Sequence, residues 1–126
     1  MNGAFDNETL KLLEETREVK IETRRGGDSP KHRMIIWVVV VESEVFVRSV
    51  RGEKGRWYRE ISANPEGALH VGETRIPVHA TSATEDTTVD AVSDAIRSKY
   101  EETSPSSTAS MVRPETLPTT LKLSPV

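Results

Sequence analysis

The residues best suited to chemistry form a basic cluster near the middle of the chain. Five cationic side chains fall within twelve positions: Arg48, Arg51, Lys54, Arg56 and Arg59. Gly52 and Gly55 lie among them, and glycine lets backbone amides turn toward the same point as the neighbouring cations. The pattern predicts a loop that binds an anion. The alternative interpretation is a solvated loop without a ligand, since runs of charge usually face water.

Aromatic residues could add a ring-binding wall to this loop. Trp37, Trp57 and Tyr58 could line a pocket for a flat ring, although most aromatic side chains belong to a core. The sequence contains no nucleophile–base–orienter set, Walker loop or dinucleotide-binding glycine motif. The three histidines lie far apart and cysteine is absent, so no metal site is predicted.

Composition limits the class of protein. A length of 126 residues predicts one domain, spanning 1–126. A net charge of −3 excludes general affinity for nucleic acid, which requires a basic face. The absence of a long apolar span or a signal pattern in the sequence predicts a cytoplasmic protein with no membrane contact.

The basic cluster follows a predicted hairpin. Residues 33–41 are apolar and rich in β-branched side chains, which predicts a strand buried on both faces. The Glu-Ser-Glu sequence at 42–44 suits a tight turn, and residues 45–50 alternate as a second strand does. Val38–Val41 carry more apolar surface than one small barrel and two helices readily cover. This excess predicts a homodimer.

The rest of the chain supplies the walls around this hairpin. The remaining predicted elements are two helices (5–18 and 87–100), a short helix ending at Asn64-Pro65, a second hairpin (68–71 with 75–81), and a segment at 103–126 that is a loop with a possible strand at 120–123. The loop prediction rests on the Ser, Thr and Pro content of 103–110. Pro77 lacks an amide hydrogen, so it predicts a strand edge or a bulge.

Several short motifs resemble one superfamily when taken in order. They are Val-Phe-Val-Arg-Ser at 45–49, the basic glycine loop, Trp57-Tyr58, Ala63-Asn64-Pro65 and Leu-His-Val-Gly at 69–72. This order resembles the split β-barrel superfamily, which includes pyridoxamine 5′-phosphate oxidase and the deazaflavin-dependent nitroreductases. Within it, the chain is most similar to a small uncharacterised bacterial family. The resemblance covers nearly the whole chain.

The resemblance implies a fold and a cofactor site. The fold would be mainly β, an antiparallel, FMN-binding-like split β-barrel of six or seven strands with flanking helices. FMN or a deazaflavin would lie at a homodimer interface, and the protein would reduce a small organic substrate. The implied cofactor-binding positions are Arg33, Ser49, Arg51 and Lys54 for the phosphate and Trp57 near the ring.

One departure from the superfamily keeps two alternatives open. Glu53 stands where the oxidase has the first residue of an Arg-Lys pair, and an acid beside a phosphate is unfavourable. The second hypothesis is therefore a cofactor-free isomerase or cyclase. Its acid–base residue would be Tyr58, Arg48 or a histidine. The third is a non-catalytic protein that binds a small molecule.

Overall fold

The computed structural model describes residues 4–126. Within these residues the α-helices are α1 (Asn7–Glu15), α2 (Arg56–Ala63), α3 (Asp86–Tyr100) and α4 (Pro105–Met111). The strands are β1 (Val19–Thr23), β2 (His32–Ile36), β3 (Val39–Val41), β4 (Glu44–Val47), β5 (Glu66–Val71), β6 (Thr74–Ser82) and β7 (Leu121–Pro125). Two 3₁₀ segments, Gly52–Lys54 and Pro114–Thr119, complete the fold. No helix of this part of the chain combines the length and apolar composition needed to cross a membrane.

The seven strands form one curled antiparallel sheet. Their order is β2-β1-β5-β6-β7-β4-β3, and every neighbouring pair is antiparallel. β2 and β3 lie at opposite edges of the sheet, yet only Trp37 and Val38 connect them. A two-residue link cannot cross a flat seven-stranded sheet, because strands lie about 4.8 Å apart. The sheet must therefore curl until the end of β2 lies close to the start of β3.

The prediction of one doubly buried strand at 33–41 is wrong. Met34 and Ile35 are 48% and 56% exposed, whereas Val38 and Val39 are buried. The chain bends at Val38, whose amide donates to the Tyr100 hydroxyl (3.2 Å) and whose carbonyl accepts from the Lys99 ammonium (2.7 Å). Side chains of α3 thus satisfy backbone groups that a strand neighbour would otherwise bind.

Helices of the same chain pack on the valine run, so the argument for a homodimer from excess apolar surface at Val38–Val41 is also wrong. α1 and α3 both pack on β3, which carries the end of that run. The predicted helix at 87–100 is confirmed as α3, in which Val89, Val92, Ile96 and Tyr100 are all buried. α1 begins after Asp6, whose carboxylate accepts from the Thr9 amide at 2.8 Å. Such a cap satisfies a helix-terminal donor.

Both predicted hairpins are present, although the first is shorter than predicted because it joins only β3 and β4. In the first turn Glu42 and Ser43 adopt φ values of 50° and 67°, as a two-residue type I′ turn requires. β5 and β6 form the second hairpin. Pro77 pairs with β5 only, since the pairing of β6 with β7 begins at Val78. The proline therefore sits at a local edge of the sheet, which agrees with the prediction.

The C-terminal part is more ordered than its composition suggests. Residues 105–111 form helix α4, so the loop prediction for 103–110 is wrong there. Pro105 occupies the start of this helix, where its missing amide hydrogen costs nothing. β7 lies between β4 and β6, and both Leu121 and Leu123 are buried. The alternating residues near the C-terminus therefore complete the sheet and its core.

Candidate functional site

One large cavity opens where several elements meet. Its volume is about 540 Å³, and it lies between the end of β4, the edge strand β2, the start of α2, the connection from α1 to β1, and α4. Its lining residues are Arg17, Glu18, Met34, Ile35, Ile36, Trp37, Arg48, Ser49, Val50, Arg51, Gly55, Arg56, Trp57, Ser104, Ser107 and Met111. Four arginines and one glutamate make this lining electropositive, although the chain carries a net charge of −3.

Ser49 presents a buried hydroxyl that has no hydrogen-bond partner in the described part of the chain. Its exposed fraction is 1%, and its Oγ forms no hydrogen bond within residues 4–126. A Cβ atom placed on Gly55 would lie well inside contact distance of this oxygen, so only glycine leaves the hydroxyl its present position. An unpaired buried hydroxyl costs about 1–3 kcal/mol. A ligand that accepts its hydrogen bond would recover that free energy.

Helix α2 begins beside this hydroxyl. Gly55 precedes its first residue and offers no side-chain cap. The first amides of a helix have no partner inside the helix, and they carry a partial positive charge. Arg56 and Trp57, at the start of α2, both line the cavity. Ser49, the start of α2 and Arg56 therefore form a site suited to an anion.

Arg48 is a buried cation whose hydrogen-bond partners are neutral. Its exposed fraction is 1%. Nε donates to Thr120 Oγ1 (2.8 Å), Nη1 to Ser93 Oγ (2.8 Å) and the Met111 carbonyl (3.5 Å), and Nη2 to the Val89 carbonyl (2.8 Å). Burial lowers the pKa of this guanidinium to about 10. Arg48 thus joins the end of β4 to α3 and α4, and it forms no salt bridge with the residues that the structure describes.

Arg17 lines the α3–α4 side of the cavity. Its guanidinium donates to the Thr103 and Ser104 hydroxyls, and its Cζ lies 6.0 Å from the centre of the Trp37 ring. Trp37 stacks on Tyr100 with ring centres 3.9 Å apart. Burial raises the pKa of Tyr100 to about 12, so its hydroxyl stays protonated. These contacts form an aromatic wall with a cation at its edge.

The segment from Arg113 to Thr120 holds the loop after β4. Thr119 Oγ1 accepts from the Ser49 amide (3.0 Å), and Arg113 Nη2 donates to the Val50 carbonyl (3.0 Å). Gly52 has a φ of +65°, and a Cβ there would lie 2.9 Å from the Glu115 carbonyl oxygen. The loop thus depends on residues far away in sequence.

The cavity gathers some of the residues predicted from sequence and leaves others outside. Arg48, Ser49, Arg51 and Trp57 line it. Arg33 lines a separate groove near β1 and β5. Lys54 and Glu53 lie exposed in the 3₁₀ turn and do not line the cavity. The acid that argued against a phosphate is therefore not in the wall of the site.

Tyr58, a predicted catalytic candidate, also lies outside the cavity lining. Its hydroxyl lies 3.5 Å from the Pro118 carbonyl. Sequence reasoning missed Arg17 as a site residue, and it placed Gly55 and Arg56 in the basic cluster without naming them as cofactor-binding positions. Arg56 belongs to the basic cluster, so its charge was a visible signal. Arg17 lies in the connection between α1 and β1, and nothing in its neighbouring sequence indicates a site.

The histidines lie in ion-pair clusters away from the cavity. His70 Nε2 is 2.7 Å from Glu22 Oε1, and Arg75 Nη2 donates to Glu22 Oε2 at 3.0 Å. The hydrogen bond from Arg75 lowers the pKa of Glu22 to about 2. His32 Nδ1 lies 3.0 Å from Glu60 Oε2. These contacts indicate that His70 and His32 hold neighbouring elements together, and they do not support a histidine as the acid–base residue.

The family of the chain follows from its sequence. The model of the family described as "Uncharacterized protein conserved in bacteria (DUF2255)" matches residues 9–123. The chain belongs to this bacterial family. No curated protein matches this DUF2255 protein by sequence.

Solved structures show the fold of this DUF2255 protein. HutZ, the heme storage protein from Vibrio cholerae, aligns with a TM-score of 0.65 and 12% identity over 98% of this chain and 92% of its own. A putative pyridoxamine 5′-phosphate oxidase from Listeria innocua aligns with a TM-score of 0.62 and 12% identity, over 95% of this chain and 90% of its own. An F420-H2 dependent reductase aligns with a TM-score of 0.61 and 14% identity, over 84% of this chain and 92% of its own. At such identities the likeness concerns the fold alone, and it confirms the predicted antiparallel split barrel.

Proposed function

We propose that this protein is a cytoplasmic reductase that uses a flavin or a deazaflavin to reduce a small organic molecule at a dimer interface. The observation that carries the proposal is the buried Ser49 hydroxyl, which has no partner among residues 4–126 and lies beside Gly55 and the start of α2. A cofactor phosphate placed there would accept from this hydroxyl and from the first amides of the helix. Arg51 and Arg56 line the same cavity and would add charge-assisted hydrogen bonds.

The cavity also suits the ring of such a cofactor. Its volume of about 540 Å³ falls in the usual range of small-molecule sites, roughly 300–1,000 Å³. Trp57, Trp37 and Met111 provide aromatic and apolar walls. When bound, the cofactor supplies the hydride chemistry. The protein would hold the phosphate, orient the ring and exclude water around it.

The known proteins of this fold support a flavin-type ligand, although only at low identity. One is named as an F420-H2 dependent reductase and another as a putative pyridoxamine 5′-phosphate oxidase. HutZ is named as a heme storage protein. Histidine is the common protein ligand of heme iron, and none of the three histidines lines the cavity described here. The lining therefore favours a flavin over heme.

A cofactor-free acid–base enzyme has less support. Its candidate residue Tyr58 and the histidines are outside the cavity lining. Arg48 lines the cavity, but a pKa of about 10 keeps its guanidinium protonated at neutral pH. It cannot act there as a base. A non-catalytic binding protein is the alternative that the turnover assay below separates from a reductase.

A second copy of the chain would complete the cavity. Met34, Ile35 and Val50 line it and are 48%, 56% and 43% exposed. β2 is an edge strand, so these side chains border a surface that one chain leaves open. Apolar side chains grouped at a rim are typical of protein interfaces. The proposed homodimer thus rests on this rim and no longer on the valine run.

Titration of the purified protein with FMN and with the deazaflavin F420 tests the proposal. We expect binding of one of them, seen as quenching of the two tryptophans, both of which line the cavity. Arg56→Ala and Arg51→Ala should each weaken binding at least roughly tenfold, since hydrogen bonds to charged groups contribute about 1.5–3 kcal/mol. Lys54→Ala is the matched control and should bind as the wild type does. Failure of both compounds to bind would overturn the proposal.

A reductase is then distinguished from a simple binding protein by turnover. The loaded protein should oxidise its reduced cofactor faster when an electron acceptor is added. A nitroaromatic or quinone panel serves as the acceptor set, and absorbance of the cofactor reports its oxidation. Tight binding of FMN or F420 without stimulated oxidation by any acceptor would favour the non-catalytic alternative.

A further inference from the structure

The cavity has a second positive end that the proposed phosphate contact does not use. Consecutive residues of an extended chain place their side chains on opposite sides, and the end of β4 follows this rule. Ser49 faces Gly55 at the start of α2, whereas Arg48 reaches α3 and α4. Arg17 lines the α3–α4 side as well, because it binds Ser104 just before α4. The end of β4 therefore separates two charged regions of one cavity.

The Arg48 charge is the main feature of this second region. An arginine has five N–H donors. Arg48 donates four hydrogen bonds to protein oxygens, and each of these oxygens belongs to a neutral group. Among residues 4–126 it forms no salt bridge. Arg97 and Asp90 lie near enough to act on it in opposite directions. Buried charges are normally paired, so an anion beside Arg48 would be stabilised.

The number of charges indicates what kind of anion fits. The cavity wall carries four arginines and Glu18, a formal charge of 4 − 1 = +3. A phosphate monoester brings about −1.5 to −2 at neutral pH, which leaves roughly one positive charge. Within the described part of the chain Glu18 forms no salt bridge, so it does not neutralise Arg17 by direct contact. One carboxylate matches the remaining charge.

We propose that the α3–α4 side of the cavity, marked by Arg48 and Arg17, binds the carboxylate of a second small molecule. The compound that the reductase acts on would then be an organic acid. Trp37 lines the cavity beside Arg17, whose Cζ lies 6.0 Å from the centre of its ring, and it offers a wall for an unsaturated or aromatic body. The role of this acid as the substrate rests on the proposed function, whereas its binding does not.

Paired probes of equal shape test this site in the purified protein without any cofactor. Benzoate carries the proposed charge, and benzamide is its neutral counterpart. Isothermal titration should show benzoate binding at least about tenfold more tightly than benzamide, as a charge-assisted contact implies. Inorganic phosphate, added with sodium chloride controls of equal ionic strength, should not displace benzoate, because it would occupy the Ser49 side.

Variants assign the effect to the proposed residues. Arg17→Met should abolish the preference for benzoate, and Arg25→Met, at an exposed arginine outside the cavity, should retain it. Arg48→Met should also abolish the preference for benzoate. If the Arg48→Met protein does not fold, the Arg17→Met variant still tests the proposal, because Arg17 is exposed. The proposal is overturned if benzoate does not bind, if it binds no better than benzamide, if phosphate displaces it, or if Arg17→Met retains the preference. If benzoate binds and neither FMN nor F420 does, the carboxylate site is retained and the cofactor proposal is refuted.

Discussion

Adding one methyl group to Gly55 should destabilise the protein through a single contact. Gly55 has φ −61° and ψ 133°, a conformation that alanine adopts without strain. The new Cβ would collide with Ser49 Oγ, while its next neighbours, the Gly52 carbonyl oxygen at 3.5 Å and Ser49 Cβ at 3.6 Å, are at ordinary distances. Overpacking of this kind costs about 1–3 kcal/mol. Replacing glycine by alanine also favours folding by about 0.4–1 kcal/mol through the unfolded chain.

A double-mutant cycle isolates the Gly55–Ser49 contact. Ser49→Ala removes a buried hydroxyl that has no partner among residues 4–126, so we expect the free energy of unfolding to rise, by up to about 3 kcal/mol. Gly55→Ala should lower that free energy by about 1 kcal/mol net, and the double variant should be at least as stable as Ser49→Ala. Urea unfolding followed by tryptophan fluorescence measures all four proteins. Additive effects of the two substitutions would refute the geometry assigned to Ser49 and Gly55.

Three further predictions follow from other parts of the fold. Glu22 has its pKa lowered from 4.5 to about 2, so its stabilising contribution is complete above pH 4.5 and disappears as the pH falls toward 2. We expect the free energy of unfolding to fall by about 2 kcal/mol over this pH range, a value already lowered to allow for the half-exposed Arg75 partner. Glu22→Gln should make acid unfolding curves less dependent on pH. Truncation after Ser104 removes β7 from between β4 and β6, and circular dichroism should show an unfolded chain; a cooperative transition like that of the wild type would contradict this. Ile35→Glu should convert the proposed homodimer to a monomer in light scattering, and a wild-type monomer at micromolar concentration would count against the dimer.

The sequence predicted the elements whose signals lie close together along the chain. The turn at Glu42-Ser43, helix α3 and the hairpin of β5 and β6 each have their signals within a few residues, and the structure confirms them. Ser49, Arg51 and Trp57 come together because they flank one short loop. Resemblance to the superfamily added the curled sheet, which no single segment specifies.

Long-range contacts decided the features that the sequence did not predict. The bend at Val38 depends on Tyr100 and Lys99, which lie more than sixty positions later. The apolar pattern alone could not distinguish that bend from a continuous strand. Arg17 joins the site through a contact with Ser104, again far along the chain. Helix α4 was missed because its serines and threonines outweighed Pro105, which is itself a signal of a helix start.

The affinity difference between a cofactor and its phosphate-free form tests the central claim most directly. FMN would be compared with riboflavin, and F420 with the corresponding deazaflavin that lacks the phosphate, by equilibrium titration at one ionic strength. If the Ser49 hydroxyl and the start of α2 hold a phosphate, the phosphorylated member of one pair should bind at least about tenfold more tightly, and Ser49→Ala should reduce that ratio. Equal affinities within both pairs, or a ratio unchanged in Ser49→Ala, would contradict the account.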